Sequence, residues 1–309
     1  MFEEAIEKAQ HYIRPVIYIT RTYGTKTVSS GVETLFFVND KACAVTSRHA
    51  AQLFINAEKI NQKYQSFRAE RDAALLKDPF HKQNILKELE EKYDYKPGTL
   101  INVKVRYLGA FTNIAGITFH LHPQVDLAIL QFLDPEGKQY DGHAVFTDEK
   151  GTMKQGRELC RMGFPFSEAV NYRYNEQTDD IEWTNVQPVV SSFPTEGIIT
   201  RNIANEHGEI TGIEMSTPGF SGQCGGPLFD AEGNVYGMQS GAKPLPMGYE
   251  FPTEVNLPGG EKRVVGNRPV TYVGQCVHAD VIKAFLHENH KRFSTFGVSG
   301  GPRLLEEDE

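Results

Sequence analysis

The chain has 309 residues, 39% hydrophobic and 23% charged, with a net charge of −8 at pH 7. That length can bury a sizeable core, as one large domain or as two lobes. The acidic balance argues against nucleic acid as the main partner, and no apolar run is long enough to span a bilayer. Met1-Phe2-Glu3-Glu4 lacks the basic and apolar segments of a signal peptide, and four cysteines without framework spacing suggest reduced thiols in a cytoplasmic setting.

Residues 2–14 place Phe2, Ile6, Ala9 and Ile13 near one helical face, with Glu3 and Glu4 early and Arg14 late. That order suits the helix dipole, and Pro15 is expected to stop the helix. Strand signals follow at Val16–Thr20, and Thr34–Val38 meets Ala42–Thr46 across Asn39-Asp40-Lys41 as a hairpin. Ser47-Arg48-His49-Ala50-Ala51 reads as a short turn of helix. Residues 55–95 are charged, nearly glycine-free and helical in period, and Asp78-Pro79 divides them into an inserted helical hairpin. Its charges fit a solvated face, and it is also the place where a regulatory partner is expected to act.

Strands resume at Leu100–Tyr107, Gly116–Leu121 and Val125–Phe132, and the polar stretch 133–157 is expected to link two lobes. The second half repeats the short-strand pattern at 159–163, 186–190, 198–203 and 210–215. Asp230-Ala231-Glu232-Gly233-Asn234 forms a hairpin turn between Leu228-Phe229 and Val235–Met238, and a Pro/Gly-rich loop is expected over roughly 242–270. Thr271–Val277 is a last strand. Residues 280–289 form an amphipathic helix, and the acidic tail Glu306–Glu309 is expected to be disordered. The whole reads as all-β: two antiparallel barrels with added helices. The expected divisions are an N-terminal helix (1–15), a first lobe (16–135), a second lobe (136–278) and a C-terminal helix and tail (279–309).

The chemistry centres on Gly219-Phe220-Ser221-Gly222-Gln223-Cys224-Gly225-Gly226-Pro227. Glycines let the backbone turn sharply, and the thiol supplies a nucleophile. The N–H groups of Gly222 and Cys224 are candidates for stabilising an oxyanion. A thiol needs a base, and the base needs an orienting carboxylate. His49 follows a buried strand at a rim position, and Asp126 interrupts the apolar run Val125-Asp126-Leu127-Ala128-Ile129-Leu130. Ser221 is the rival nucleophile. Cys43, Cys160 and Cys276 sit in strand-like contexts and read as small buried hydrophobes. His120 and His122 fit strand packing, and His287 and His290 lie on a charged helix, so no metal site is expected.

Thr46-Ser47-Arg48-His49-Ala50 resembles the histidine segment of chymotrypsin-like proteases, and Asp126–Leu130 resembles their aspartate segment. Gly222-Gln223-Cys224-Gly225-Gly226-Pro227 resembles their nucleophile segment, in the same chain order. With cysteine in the nucleophile's place, the chain is similar to viral 3C-type cysteine proteases. The resemblance implies a double β-barrel, a catalytic His49–Asp126–Cys224 set and no cofactor. It implies an extended peptide or protein substrate pairing with the edge strand at Gln239, Ser240 and Gly241; on charge and hydropathy, neither nucleic acid nor membrane is expected as a partner. Gln239 stands where viral 3C-type enzymes carry a glutamine-reading histidine, so no glutamine preference is expected. The alternative class is a protease fold kept as a non-catalytic peptide-binding or scaffold protein.

Overall fold

The computed structural model describes residues 1–166, 171–186, 188–258 and 260–296, and the backbone of 302–304. The acidic tail lies outside them. Helix α1 (Glu3–Tyr12) buries Ala5, Ala9 and Tyr12, spaced one and two turns apart, and gives way to strand β1 (Ile13–Thr22) two residues before Pro15. Pro15 is tolerated inside β1 because pairing with the neighbouring strand on one side begins only at Val16.

Next come β2 (Val28–Phe37), β3 (Cys43–Thr46), α2 (Arg48–Lys77), α3 (Lys82–Tyr93), β4 (Leu100–Tyr107), β5 (Gly116–Leu121) and β6 (Ala128–Leu133). The six strands form one curled sheet in the order β4-β1-β2-β3-β6-β5. Its inner face is aromatic and aliphatic. Phe36, Phe37 and Phe132 are buried, each ring contributing about 2 kcal/mol by leaving water. Tyr140, in the connection to the second half, stacks on Phe37 at 3.6 Å between ring centroids.

The second half contains β7 (Val145–Thr147), β8 (Glu158–Gly163), a separate hairpin β9 (Tyr172–Asn175) and β10 (Asp180–Trp183), then β11 (Phe193–Ala204), β12 (Ile210–Met215), β13 (Pro227–Phe229) and β14 (Asn234–Pro246). They are followed by β15 (Phe251–Asn256), β16 (Lys262–Asn267), β17 (Val270–His278), α4 (Ala279–Glu288), β18 (Ser294–Phe296) and β19 (Pro302–Leu304). The run β13-β8-β11-β12-β17-β14 closes on itself through pairing of β13 with β14, which removes its edges. The fold is therefore mostly β, two curled sheets with helices at both ends.

Three expectations change. The short helical turn at 47–51 and the insertion are one element, because α2 runs unbroken from Arg48 for 30 residues. The segment expected as a loop over 242–270 is instead the extended ends of β14 and β17 capped by the exposed β15–β16 hairpin. Val255, Val264 and Val265 supply the β-branched character that the prolines and glycines obscured. Of the stretch expected as a strand at 186–190, residue 187 lies outside the described residues and the rest lies outside the named strands, and β11 begins at Phe193.

Asp179, in the turn between β9 and β10, anchors α2 to the second half. Its carboxylate accepts from Tyr64 Oη at 2.9 Å and Arg71 Nη1 at 3.2 Å on α2, from Tyr174 Oη at 2.8 Å, and pairs with Arg21 at 2.9 Å. Burial would raise the Asp179 pKa, but the bonds from Tyr174 and Tyr64 and the Arg21 charge outweigh it and leave it lowered. Among the described residues no helix is long and apolar enough to cross a membrane.

Candidate active site

Two strand ends bring the histidine and aspartate segments together. Thr46 of β3 pairs with Ala128 of β6, so the residues just after one strand lie beside those just before the other. Asp126 then meets the first turn of α2. One carboxylate oxygen accepts the His49 backbone N–H at 2.9 Å, and the other lies 2.8 Å from His49 Nδ1. Ser47, the residue before the helix, offers no side-chain cap, so Asp126 caps the helix from another strand while it orients the ring. The Asp126 loop is pinned in turn. Arg48 Nη1 donates to the carbonyls of His122 and Pro123, and His122 Nδ1 accepts from the N–H groups of Gln124 and Val125.

The nucleophile loop belongs to the second sheet but rests on the first. Thr34 of β2 donates its N–H to the Cys224 carbonyl at 3.0 Å and its hydroxyl to the Gly222 carbonyl at 2.6 Å. Gly222 and Gly225 hold φ of +94° and +83°, in the region that favours glycine. A Cβ at Gly225 would overlap the Thr34 carbonyl. Among the described residues the N–H groups of Gly222 and Cys224 have no backbone or side-chain acceptor, while Gln223 is buried and bonded to Phe220, Phe193 and Thr195.

Sequence reasoning missed Glu33, which the structure places beside this site. Glu33 is 8% exposed, and its Oε1 lies 3.7 Å from His49 Nε2. One nitrogen of His49, one carboxylate oxygen of Glu33 and Cys224 Sγ all lie within 4.8 Å of one another. Hydrogen bonding to Asp126, then to Cys224 and Glu33, raises the His49 pKa well above the ordinary imidazole range. Burial raises the Cys224 pKa and the Glu33 charge adds to it, while the bond to His49 opposes both. The thiol meets the Ser240 carbonyl at 3.4 Å.

Of the three expected binding-edge residues, Ser240 faces the thiol through its carbonyl and Gly241 has open space where a Cβ would stand. The Gln239 side chain turns inward instead: it is buried, accepts from Arg161 Nη1 at 2.5 Å and donates to the Gly241 carbonyl at 2.5 Å. Arg161 was not singled out from the sequence. It is fully buried and has no carboxylate partner among the described residues; its other bonds go to the Thr217 carbonyl and hydroxyl. Phe166, Phe193 and Phe220 form an exposed aromatic cluster next to the nucleophile loop, with centroids 5.4 to 5.9 Å apart. Ser221 is exposed and makes no hydrogen bond to His49 among the described residues. Cys43, Cys160 and Cys276 are buried, and burial raises their thiol pKa values to about 12, 11 and 12. Among the described residues neither His120 and His122 nor His287 and His290 join a metal-competent group.

Residues 34–238, well over half of the chain, match the family model described as the trypsin-like peptidase domain. The chain belongs to the trypsin-like peptidase family. No curated protein matches it. Among solved structures, this trypsin-like peptidase is similar to a variant of the HtrA-type protease AlgW with tripeptide, at 15% identity over 93% of this chain and 63% of that one (TM-score 0.45). An AlgW variant with decapeptide is 13% identical over 96% and 70% (TM-score 0.44). The Rv3671c protease from M. tuberculosis, in its active form, is 15% identical over 92% and 82% (TM-score 0.44). The trypsin-like peptidase thus spans less than two thirds of the first AlgW chain.

Proposed function

We propose that the protein is an endopeptidase that cleaves peptide bonds with Cys224 as nucleophile, His49 as base and Asp126 as its orienting carboxylate. The observation that carries this is the His49 ring, held at Nδ1 by Asp126 at 2.8 Å with its other edge toward Cys224. His49 takes the thiol proton, or holds it from the outset in a thiolate–imidazolium pair, and the thiolate attacks the substrate carbonyl carbon. The N–H groups of Gly222 and Cys224 receive the oxyanion. His49 then gives its proton to the leaving amine, and a water activated by the same ring hydrolyses the thioester. The backbone of Ser240 and Gly241 supplies the edge on which an extended peptide pairs.

One observation favours a second reading, a non-catalytic peptide-binding module: burial and the Glu33 charge both favour a protonated thiol. Labelling decides between them. Cys224 is expected to react stoichiometrically with a mild alkylating agent at neutral pH, followed by mass spectrometry, and to lose that reactivity in His49→Ala. A thiol that is inert in the parent protein supports the module and removes the peptidase reading.

The insertion is proposed as the seat of a regulatory protein partner, because its tip presents Leu76 and Phe80 at 87% and 94% exposure. Replacing both with serine is expected to leave basal cleavage unchanged and to abolish any change in turnover that a cell extract confers. Regulation that survives the double substitution places the partner elsewhere.

A further inference from the structure

We propose that Glu33, His49 and Cys224 form a binding site for a divalent zinc ion, which would switch the nucleophile off. The three ligand atoms lie within 4.8 Å of one another, and Glu33 Oε1 is 3.7 Å from His49 Nε2. Ligands about 2.0–2.3 Å from a tetrahedral zinc stand about 3.3–3.8 Å apart, so closing this group on the ion needs side-chain shifts of an ångström or less. Carboxylate, imidazole and thiolate together are a donor set that suits zinc, and a solvent molecule would complete four-coordination. A three-ligand group with one open position lies at the surface end of the site, since the His49 side chain is half exposed.

Two further observations point to a cation here. Glu33 Oε2 is buried and has no hydrogen-bond partner among the described residues, a costly state for a carboxylate that a cation relieves. Asp126 holds His49 Nδ1 at 2.8 Å, so Nε2, 3.4 Å from Ser47 Oγ and 3.7 Å from Glu33 Oε1, is the nitrogen on the side of this group, which matches the carboxylate–histidine–metal arrangement that orients zinc ligands elsewhere. The sulfur and Nε2 must both be deprotonated to ligate, so binding would release the thiol proton and the Nε2 proton of a protonated His49 to solvent, and the sulfur lone pair needed for attack is committed to the ion. The inhibitory consequence rests on the proposed role of Cys224 in peptide cleavage; the metal site does not.

The test uses the full-length, tag-free protein, reduced and stripped with chelator, titrated with cobalt(II) as a spectroscopic probe and then with zinc. The wild type is expected to bind one cobalt with a near-ultraviolet thiolate-to-cobalt charge-transfer band, which zinc displaces. Cys224→Ser should abolish the band, and Glu33→Gln and Asp126→Asn should each weaken affinity by at least about tenfold. If Glu33→Gln fails to fold, Glu33→Asp, with its shorter arm, must show the same loss. Absence of the band in the wild type, its persistence in Cys224→Ser, or unchanged affinity in the folded Glu33 variant overturns the site. In the cleavage assay, zinc should inhibit and chelator should restore activity. Cobalt binding is read without substrate, so a protein that cleaves nothing still decides the metal site, and one that cleaves but binds no metal sinks only this proposal.

Discussion

Replacing Cys224 with alanine is expected to lower kcat/KM for a cleaved peptide by at least about a thousandfold, whereas Ser221→Ala should leave it close to the parent value. The two side chains lie only three residues apart, but the loop separates them. Gly222 turns at positive φ, Thr34 fixes the carbonyls of Gly222 and Cys224, and the chain presents Cys224 Sγ toward His49 while Ser221 faces solvent. In the proposed mechanism, removing the sulfur removes both the attacking atom and the proton that His49 would take. The remaining N–H groups and peptide-binding edge can still hold substrate, so KM should change less than kcat. Cleavage that survives Cys224→Ala and disappears in Ser221→Ala would make this a serine peptidase.

Gly225→Ala is expected to cost about 3 kcal/mol of stability and about a hundredfold in activity. The added methyl would overlap the Thr34 carbonyl and lie 2.5 Å from Thr46 Oγ1. Both obstacles sit in strands of the first sheet, and a backbone carbonyl in a ladder cannot rotate aside as a long side chain can. The φ of +83° adds a penalty that alanine pays and glycine does not. Relief requires the loop to lift from β2, which would carry the Cys224 N–H and Sγ away from His49. Gly116→Ala, in β5 and outside the site, is the internal contrast, since its Cβ position meets only Leu133 Cδ1 at an ordinary 3.7 Å. Denaturant melts and kcat/KM of the two variants measure the difference, and a Gly225→Ala protein as stable and active as the parent would show that the loop adapts without leaving β2.

The parts of the site visible in the sequence are those encoded by short contiguous patterns. A thiol among glycines, a histidine just after a buried strand and an aspartate inside an apolar run each break a local rule, and such breaks stand out. Glu33 and Thr34 do not. In Val28-Ser29-Ser30-Gly31-Val32-Glu33-Thr34-Leu35 a polar pair reads as ordinary strand alternation, and only the pairing of Glu33 with Val16 in β1 and the approach of the second sheet make it part of the site. Arg161 was similarly hidden between Cys160 and Met162, because nothing local says that its guanidinium will end against Gln239 and Thr217. In sequence the long α2 looks like two pieces, a short turn at 47–51 and a charged insertion from 55, because the apolar Leu53-Phe54-Ile55 lies between them. In the structure Phe54 is buried, packing with Tyr18 and Tyr107 against the sheet, which keeps the helix continuous.

That continuity limits how the insertion can be removed or exchanged. His49 is the second residue of a 30-residue helix, so the turn that carries it draws its stiffness from the turns that follow. Excising 56–94 would leave a stub of two turns, and helices that short fray in water unless packing holds them. The stub would retain the Asp126 cap and the Phe54 contacts but lose the Tyr64 and Arg71 attachment to Asp179. A chimera that grafts a different insertion onto this scaffold should therefore join inside the helix, beyond Arg71. There the splice changes what the tip displays and leaves the imidazole on an intact rod.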